Sequence, residues 1–151
     1  MKKLFFVLLV MIAFNVNAQD NFTLTDVTGK KHQLSEYKGR WLIVNYWATW
    51  CPPCLEEIPD FVHLYDARKD KDLMVLGVAM QYQNAEEVTD FADDLLISYP
   101  VILGDAPETV HVGKVDVLPT TFIFNPQGKL VKSKRGLITR KQIEIIMQTK
   151  D

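Results

Sequence analysis

Cysteine is scarce in this chain. Of 151 residues only Cys51 and Cys54 carry thiols, and they stand two residues apart. That excludes a disulfide-rich scaffold, which needs several spaced pairs. Histidine is nearly as rare. His32, His63 and His111 are scattered, with no paired spacing, so a zinc site, which takes about four ligands, lacks a set of donors. An excess of one charge is missing too: 17 Lys and Arg face 19 Asp and Glu, a formal net charge of −2. No basic cluster is present, which speaks against nucleic acid as a partner. Nor does any amphipathic basic helix suggest binding to a membrane surface. There is no internal repeat, low-complexity tract or linker that would divide the chain.

What is present begins with an apolar run, Leu4 to Phe14, behind Lys2 and Lys3. It falls short of the ~20 residues a spanning helix needs. Val16 and Ala18 occupy positions that a signal peptidase accepts, and no lipobox cysteine follows. Residues 1–18 are therefore expected to be a secretory signal cleaved after Ala18, and 19–151 a single domain. The alternative is an uncleaved anchor. Cleavage implies a periplasmic or otherwise extracytoplasmic protein with no stable membrane insertion. Loss of Lys2 and Lys3 takes the formal charge to −4.

The remainder is ordinary globular composition, 48% hydrophobic and 24% charged, enough for a real core. Phe22–Thr25 and Lys31–Leu34 read as a short hairpin, and Ser35–Gly39 as one helical turn closed by glycine. Trp41–Trp47 is an apolar strand, and a helix follows from Pro52 or Pro53 to Arg68. Its inward face is expected at Leu55, Ile58, Phe61 or Val62, and Tyr65, with a kink at Pro59. Leu73–Met80 reads as a strand buried on both faces. Asn84 caps a helix, with Glu87 at capping-box spacing and a stripe of Val88, Phe91, Ala92 and Leu95. Tyr99–Leu103, a short helix within Ala106–Lys114, a hairpin of Thr120–Phe124 and Lys129–Lys134, and a helix capped by Thr139 complete the chain. This order predicts a mainly parallel sheet, closed by an antiparallel pair and covered on both faces.

The two thiols fall where a strand hands over to a helix. A disulfide between them would close a very short loop, which removes little unfolded-state entropy, so a purely structural staple is a poor explanation. A thiolate is the nucleophile in disulfide exchange. Cys51, at the helix N-cap, meets free N–H groups and the helix dipole, which favour an anion. Cys54, one turn in, is expected to be more buried. Cys51 then exchanges with the partner and Cys54 resolves the mixed disulfide.

Trp47-Ala48-Thr49-Trp50-Cys51-Pro52-Pro53-Cys54, followed by Pro59, resembles the thioredoxin superfamily. More narrowly it resembles the exported thiol-disulfide oxidoreductases of the TlpA/ResA type. The likeness runs from about Phe22 to the last helix. Val117-Leu118-Pro119-Thr120-Thr121-Phe122-Ile123 is similar to the family's cis-proline loop and following strand, and Gly136 and Thr139 to its closing glycine and helix cap. The resemblance implies an α/β thioredoxin-like fold: a central mixed sheet with helices on both faces, a short N-terminal hairpin and a central αβ insertion between Met80 and Leu103. It implies that Cys51 and Cys54 are the redox pair, that Pro119 is cis and faces them, and that the backbone before Pro119 pairs with a partner peptide as an added strand.

Two positions qualify the likeness. Thioredoxins carry a buried acid six residues before the first cysteine, where this chain has Asn45, which cannot exchange a proton at neutral pH. The TlpA/ResA pattern instead has a glutamate three residues past the second cysteine, here Glu57. A partly buried carboxylate there would raise a nearby thiol's pKa and relay its proton. The plainer reading of Glu57, and the one given to Glu56, is a helix acid complementing the dipole. Trp50, Pro52, Pro53 and Leu118 are the expected substrate-contact surface, Trp47 a core residue near the site, and Asp93-Asp94 a solvated face.

The function implied is an exported oxidoreductase that reduces disulfides in extracytoplasmic proteins, apocytochromes c among the candidates. Its expected partners are exported proteins with oxidised cysteines and a membrane thiol-transporter as electron donor. No cofactor beyond the Cys51–Cys54 disulfide and no metal is expected. The alternatives are a disulfide-forming oxidant, a non-catalytic binding module, and a peroxidase of related fold, the last weakened by the lack of a separate peroxidatic motif.

Overall fold

The computed structural model describes residues 21–149, so the expected signal segment and its cleavage site lie outside the described residues. Two strands, β1 (Thr23–Thr25) and β2 (Lys31–Gln33), pair antiparallel as a hairpin, followed by a single 3-10 turn at Leu34–Tyr37. Gly39 closes that turn at φ +87°, a left-handed conformation that glycine adopts without strain.

The main sheet has the order β5-β4-β3-β6-β7, built from β3 (Trp41–Trp47), β4 (Leu73–Ala79), β5 (Val101–Leu103), β6 (Thr120–Phe124) and β7 (Leu130–Arg135). β3 pairs parallel with β4 but antiparallel with β6, and β6 pairs antiparallel with β7. The sheet is thus half parallel and half antiparallel rather than mainly parallel. The closing hairpin does not sit at the margin: its first strand lies directly against the central strand.

The helices are α1 (Pro52–Arg68), α2 (Ala85–Asp94) and α3 (Arg140–Gln148). Strand alternation sends Ile43, Asn45 and Trp47 to one face, where Phe61, Leu64 and Ile143 pack from α1 and α3, and Val88 from α2. Leu42, Val44 and Tyr46 point to the other face and meet Phe22, Leu24, Tyr37 and Val112. That second layer is the hairpin with two 3-10 turns, at Leu34–Tyr37 and Pro107–His111, in place of α-helices. β4 is buried along its whole length, as a strand covered on both faces requires.

Several expectations shift at this level. α1 includes Pro59 within its span, as expected, but its buried side is Cys54, Glu57, Ile58, Phe61 and Leu64. Leu55 is exposed and Tyr65 only half-buried. Asn84 caps α2 by accepting from Glu87 N–H, but the Glu87 carboxylate does not return to Asn84: it accepts from Gln83 N–H and Thr49 O–H. Leu95 falls past the end of α2 and is exposed. Thr139 and Gln142 do form the reciprocal cap of α3.

Candidate active site

β3 ends at Trp47 and α1 begins at Pro52, so the turn between them presents Cys51 as the N-cap, with extended φ −94° and ψ 104°. Proline suits the first helical positions, where its missing N–H has no partner to lose. Cys54 N–H and Leu55 N–H both donate to Cys51 O, at 3.0 and 3.1 Å. The Cα atoms of the two cysteines are 5.3 Å apart and their sulfurs are bonded. Both cysteines are buried, Cys54 fully and Cys51 at 3% exposure, and of the two only Cys51 borders the surface cleft that Trp50 and Leu118 wall. α1 carries no acidic residue in its first turn, so the helix end favours an anion on Cys51, while the buried acid of this helix, Glu57, stands behind Cys54.

Glu57 stands one helical turn beyond Cys54 on the same buried side of α1, and is 1% exposed. Its Oε1 accepts from Asn45 Nδ2 at 2.7 Å and its Oε2 from Ile138 N–H at 3.0 Å. Burial pushes its carboxyl up to about 7, against the opposing pull of those two hydrogen bonds and of Lys134, with Asp60 pushing the same way as burial. Glu57 is therefore no surface helix acid. Glu56 is, exposed on the second turn. Asn45 is fully buried against this carboxylate. Its Nδ2 also donates to Thr121 Oγ1, at 3.0 Å, so it holds the carboxylate that comes from the helix rather than from its own strand.

The Leu118–Pro119 peptide bond is cis. Pro119 is buried, and its carbonyl accepts from Gly136 N–H at 2.8 Å. In front of it opens a cleft of about 360 Å³ walled by Trp50, Cys51, Met80, Gln81, Val117 and Leu118. Trp50 is 58% exposed, its Nε1–H directed at Gln81 O at 3.4 Å. Gln81 takes a left-handed φ of +55°. Of the expected contact residues, Trp50 and Leu118 line the cleft. Pro52 and Pro53 are exposed beside it but are not part of its wall, because the helix start turns them outward. Met80 and Gln81 carry no motif that would have marked them; they arrive by following β4 to its end beside the cysteines.

The motif turn is braced from α2. Thr49 Oγ1 donates to Glu87 Oε1 at 2.6 Å, and this bond, with that from Gln83 N–H, holds the Glu87 carboxyl below its ordinary range. Trp47 is fully buried and stacks on Phe91 of α2, centroids 5.4 Å apart. Among the described residues no group of three or more His, Cys, Asp or Glu could hold a metal. His32 is buried, with Nε2–H 2.8 Å from Asp26 Oδ2 and the Tyr37 hydroxyl 2.6 Å from Nδ1, a pairing not foreseen from the sequence. Among the described residues no helix is long and apolar enough to cross a membrane.

Comparison with known proteins agrees with this geometry. The model of the AhpC/TSA family matches residues 16–133. The thiol-disulfide oxidoreductase ResA of Bacillus subtilis is 34% identical over 127 residues, 84% of this chain and 70% of that protein. The crystal structure of StoA from Bacillus subtilis superposes with a TM-score of 0.72 at 28% identity, over 84% of this chain and 96% of that one. The exposed lipoprotein thioredoxin of Streptococcus pneumoniae strain TIGR4 superposes at 0.73 and 27%, over 85% and 98%. The family match spans most of the chain, and the ResA relative is matched over most of both proteins: the chain belongs to the AhpC/TSA family of thioredoxin-like proteins, and within it to the ResA-like thiol-disulfide oxidoreductases.

Proposed function

We propose that this oxidoreductase works as a reductant of disulfides in extracytoplasmic proteins, apocytochromes c among them, and is itself reset by a membrane thiol-transporter. The observation that carries the direction is Glu57, buried one turn behind Cys54 with a carboxyl near 7. An ionised carboxylate there disfavours a second anion on the neighbouring thiol. A pair whose thiolate is poorly stabilised gives up electrons readily, whereas a strong oxidant needs a stabilised thiolate.

The steps balance with the groups at hand. The Cys51 thiolate attacks one sulfur of the substrate disulfide, and the other substrate sulfur leaves as a thiolate and takes a proton from water. Cys54 then passes its proton to the Glu57 carboxylate and attacks Cys51 Sγ. The Cys51–Cys54 disulfide forms, and the second substrate sulfur leaves as a thiolate, which is protonated in turn. Two electrons have moved from the pair to the substrate. A dithiol on the donor restores the pair by the reverse exchange.

The mixed sheet also suits the substrate role. The segment before the cis-proline lies open in the cleft, where an extended peptide carrying the target cysteine would lie between Trp50 and Leu118. An extracytoplasmic address rests on the expected signal at 1–18 and on relatives such as the exposed lipoprotein thioredoxin. The test is covalent capture. A Cys54→Ser variant should accumulate mixed disulfides with a disulfide-bearing protein through Cys51, visible on non-reducing gels. No captured adduct would overturn the exchange role and favour a non-catalytic binding module.

A further inference from the structure

Three buried polar atoms find no protein partner among the described residues, and they belong to residues that border Gly77: Asn45 Oδ1, Trp47 Nε1 and Tyr99 Oη. The remaining one, Arg40 Nε, lies at the opposite end of β3. Asn45 and Trp47 are fully buried and Tyr99 is 2% exposed. The fold explains the convergence. Asn45 is the register partner of Gly77 across β3 and β4, and Trp47 follows two residues later on the same face. Because Gly77 has no side chain, its place is taken from above. Tyr99 Cε2 comes to 2.7 Å, and Trp47 Nε1 to 2.8 Å, of the point where a Cβ would stand. The Asn45 amide nitrogen donates both to Glu57 on α1 and to Thr121 on β6, which leaves its oxygen for the side of β4, where Gly77 is its register partner.

These atoms form a complementary set. The indole N–H only donates, the amide oxygen only accepts, and the phenol does either. Water satisfies all three at once by accepting from the indole and donating to the amide, the usual arrangement of buried water. We propose that Asn45, Trp47 and Tyr99 build, over Gly77, a site for an internal water molecule that supports the Asn45–Glu57 hydrogen bond, so that Tyr99 is a positioning residue for the carboxylate. The link to catalysis rests on the reading of Glu57 as the proton acceptor for Cys54; the water site itself does not.

The groups that act on Glu57 are Asn45 from β3, Ile138 N–H ahead of α3, Lys134 from β7 and Asp60 from α1. Burial, then the Glu57 charge, push the Tyr99 hydroxyl up, so the phenol stays neutral and senses that carboxylate. Water donating to Asn45 Oδ1 polarises the amide and strengthens its N–H bond to Glu57. Removing the phenol loosens that water and weakens the bond.

The experiment uses nitrogen- and carbon-labelled protein. The Trp47 indole N–H, assigned by its loss in Trp47→Phe, should show a rotating-frame Overhauser contact to water, opposite in sign to a chemical-exchange peak. Its absence would overturn the water site. In Tyr99→Phe, the Glu57 carboxyl carbon, assigned by its loss in Glu57→Gln, should titrate about half a pH unit higher than in the wild type. An unmoved titration would overturn the positioning role of Tyr99. Gly77→Ala should abolish the water contact where it folds, and the wild-type water contact and the Tyr99→Phe titration stand where it does not. If Glu57→Gln leaves the pH profile of mixed-disulfide resolution unchanged while the water contact persists, the relay reading of Glu57 fails and the water site survives.

Discussion

At the scale of single residues, Glu57 carries a cost that can be measured. In the unfolded chain its carboxyl ionises near 4.5; in the folded protein burial defers this to about 7. Between those values the folded state holds the additional proton, so raising the pH through this window lowers stability. The loss amounts to about 3 kcal/mol between pH 4.5 and 7. Glu57→Gln stays neutral throughout. Urea unfolding of the variant at pH 5 and pH 8 should show a much smaller difference than in the wild type. An unchanged difference would mean that another group titrates. Cys51 and Cys54 stand out in the sequence by their spacing at a strand-to-helix junction, whereas Glu57 and Pro119 stand out only through the family resemblance; the structure shows Glu57 buried and Pro119 after a cis bond. Tyr99 and Gly77 do not stand out. The Tyr99 ring occupies the place of an absent side chain on the neighbouring strand, and no local pattern encodes that.

At the scale of elements, α1 and α3 are joined by acids of the first meeting N–H groups at the start of the second. Glu57 accepts from Ile138 N–H and Asp60 from Arg140 N–H, at 3.0 and 2.8 Å. Such donors are unpaired within a helix and favour negative charge. Thr139 lies between them and takes the reciprocal cap with Gln142. Thr139→Ala should therefore cost about 1 kcal/mol in chemical unfolding, and the Asp60 bond to the next residue keeps the loss from growing further. An apolar run bounded β3 to the residue, and the proline-marked start left α1 open between Pro52 and Pro53. The inward face of α1 was misread at Leu55 because hydrophobic periodicity passes over a buried glutamate. The sheet was read as mainly parallel because the pairing of β6 with β3 joins residues far apart in sequence, as Asn45 with Thr121. The Glu87 side chain left its expected cap for Thr49, a tertiary partner that local spacing cannot reveal.

At the scale of the whole molecule, each edge of the sheet is managed differently. Val27 N–H donates to Val101 O at 2.9 Å and Asp26 bridges Ile102, so the N-terminal hairpin covers the β5 edge. The β7 edge carries Lys132, Lys134 and Arg135, charges that discourage pairing with another chain. On the proposed function, peptide contact falls to the cleft beside Cys51, where Trp50 is the exposed aromatic group and Val117 an exposed aliphatic one. Trp50→Ala should raise KM for a disulfide-bearing protein substrate on the order of tenfold, the usual scale for losing an aromatic anchor. Reduction of a small aromatic disulfide reagent, which spans less of the cleft, should change far less. Equal losses on both would place Trp50 in the chemistry rather than in recognition.

The central claim is the direction of electron flow, and the reduction potential of the Cys51–Cys54 pair tests it most directly. The pair should be titrated at pH 7 against glutathione and dithiothreitol buffers, with redox state read by thiol alkylation. The expected result is a pair that stays oxidised in glutathione and is reduced by dithiothreitol, at a potential of about −270 mV or lower. A value approaching about −120 mV, the range of strong oxidants, would contradict the account.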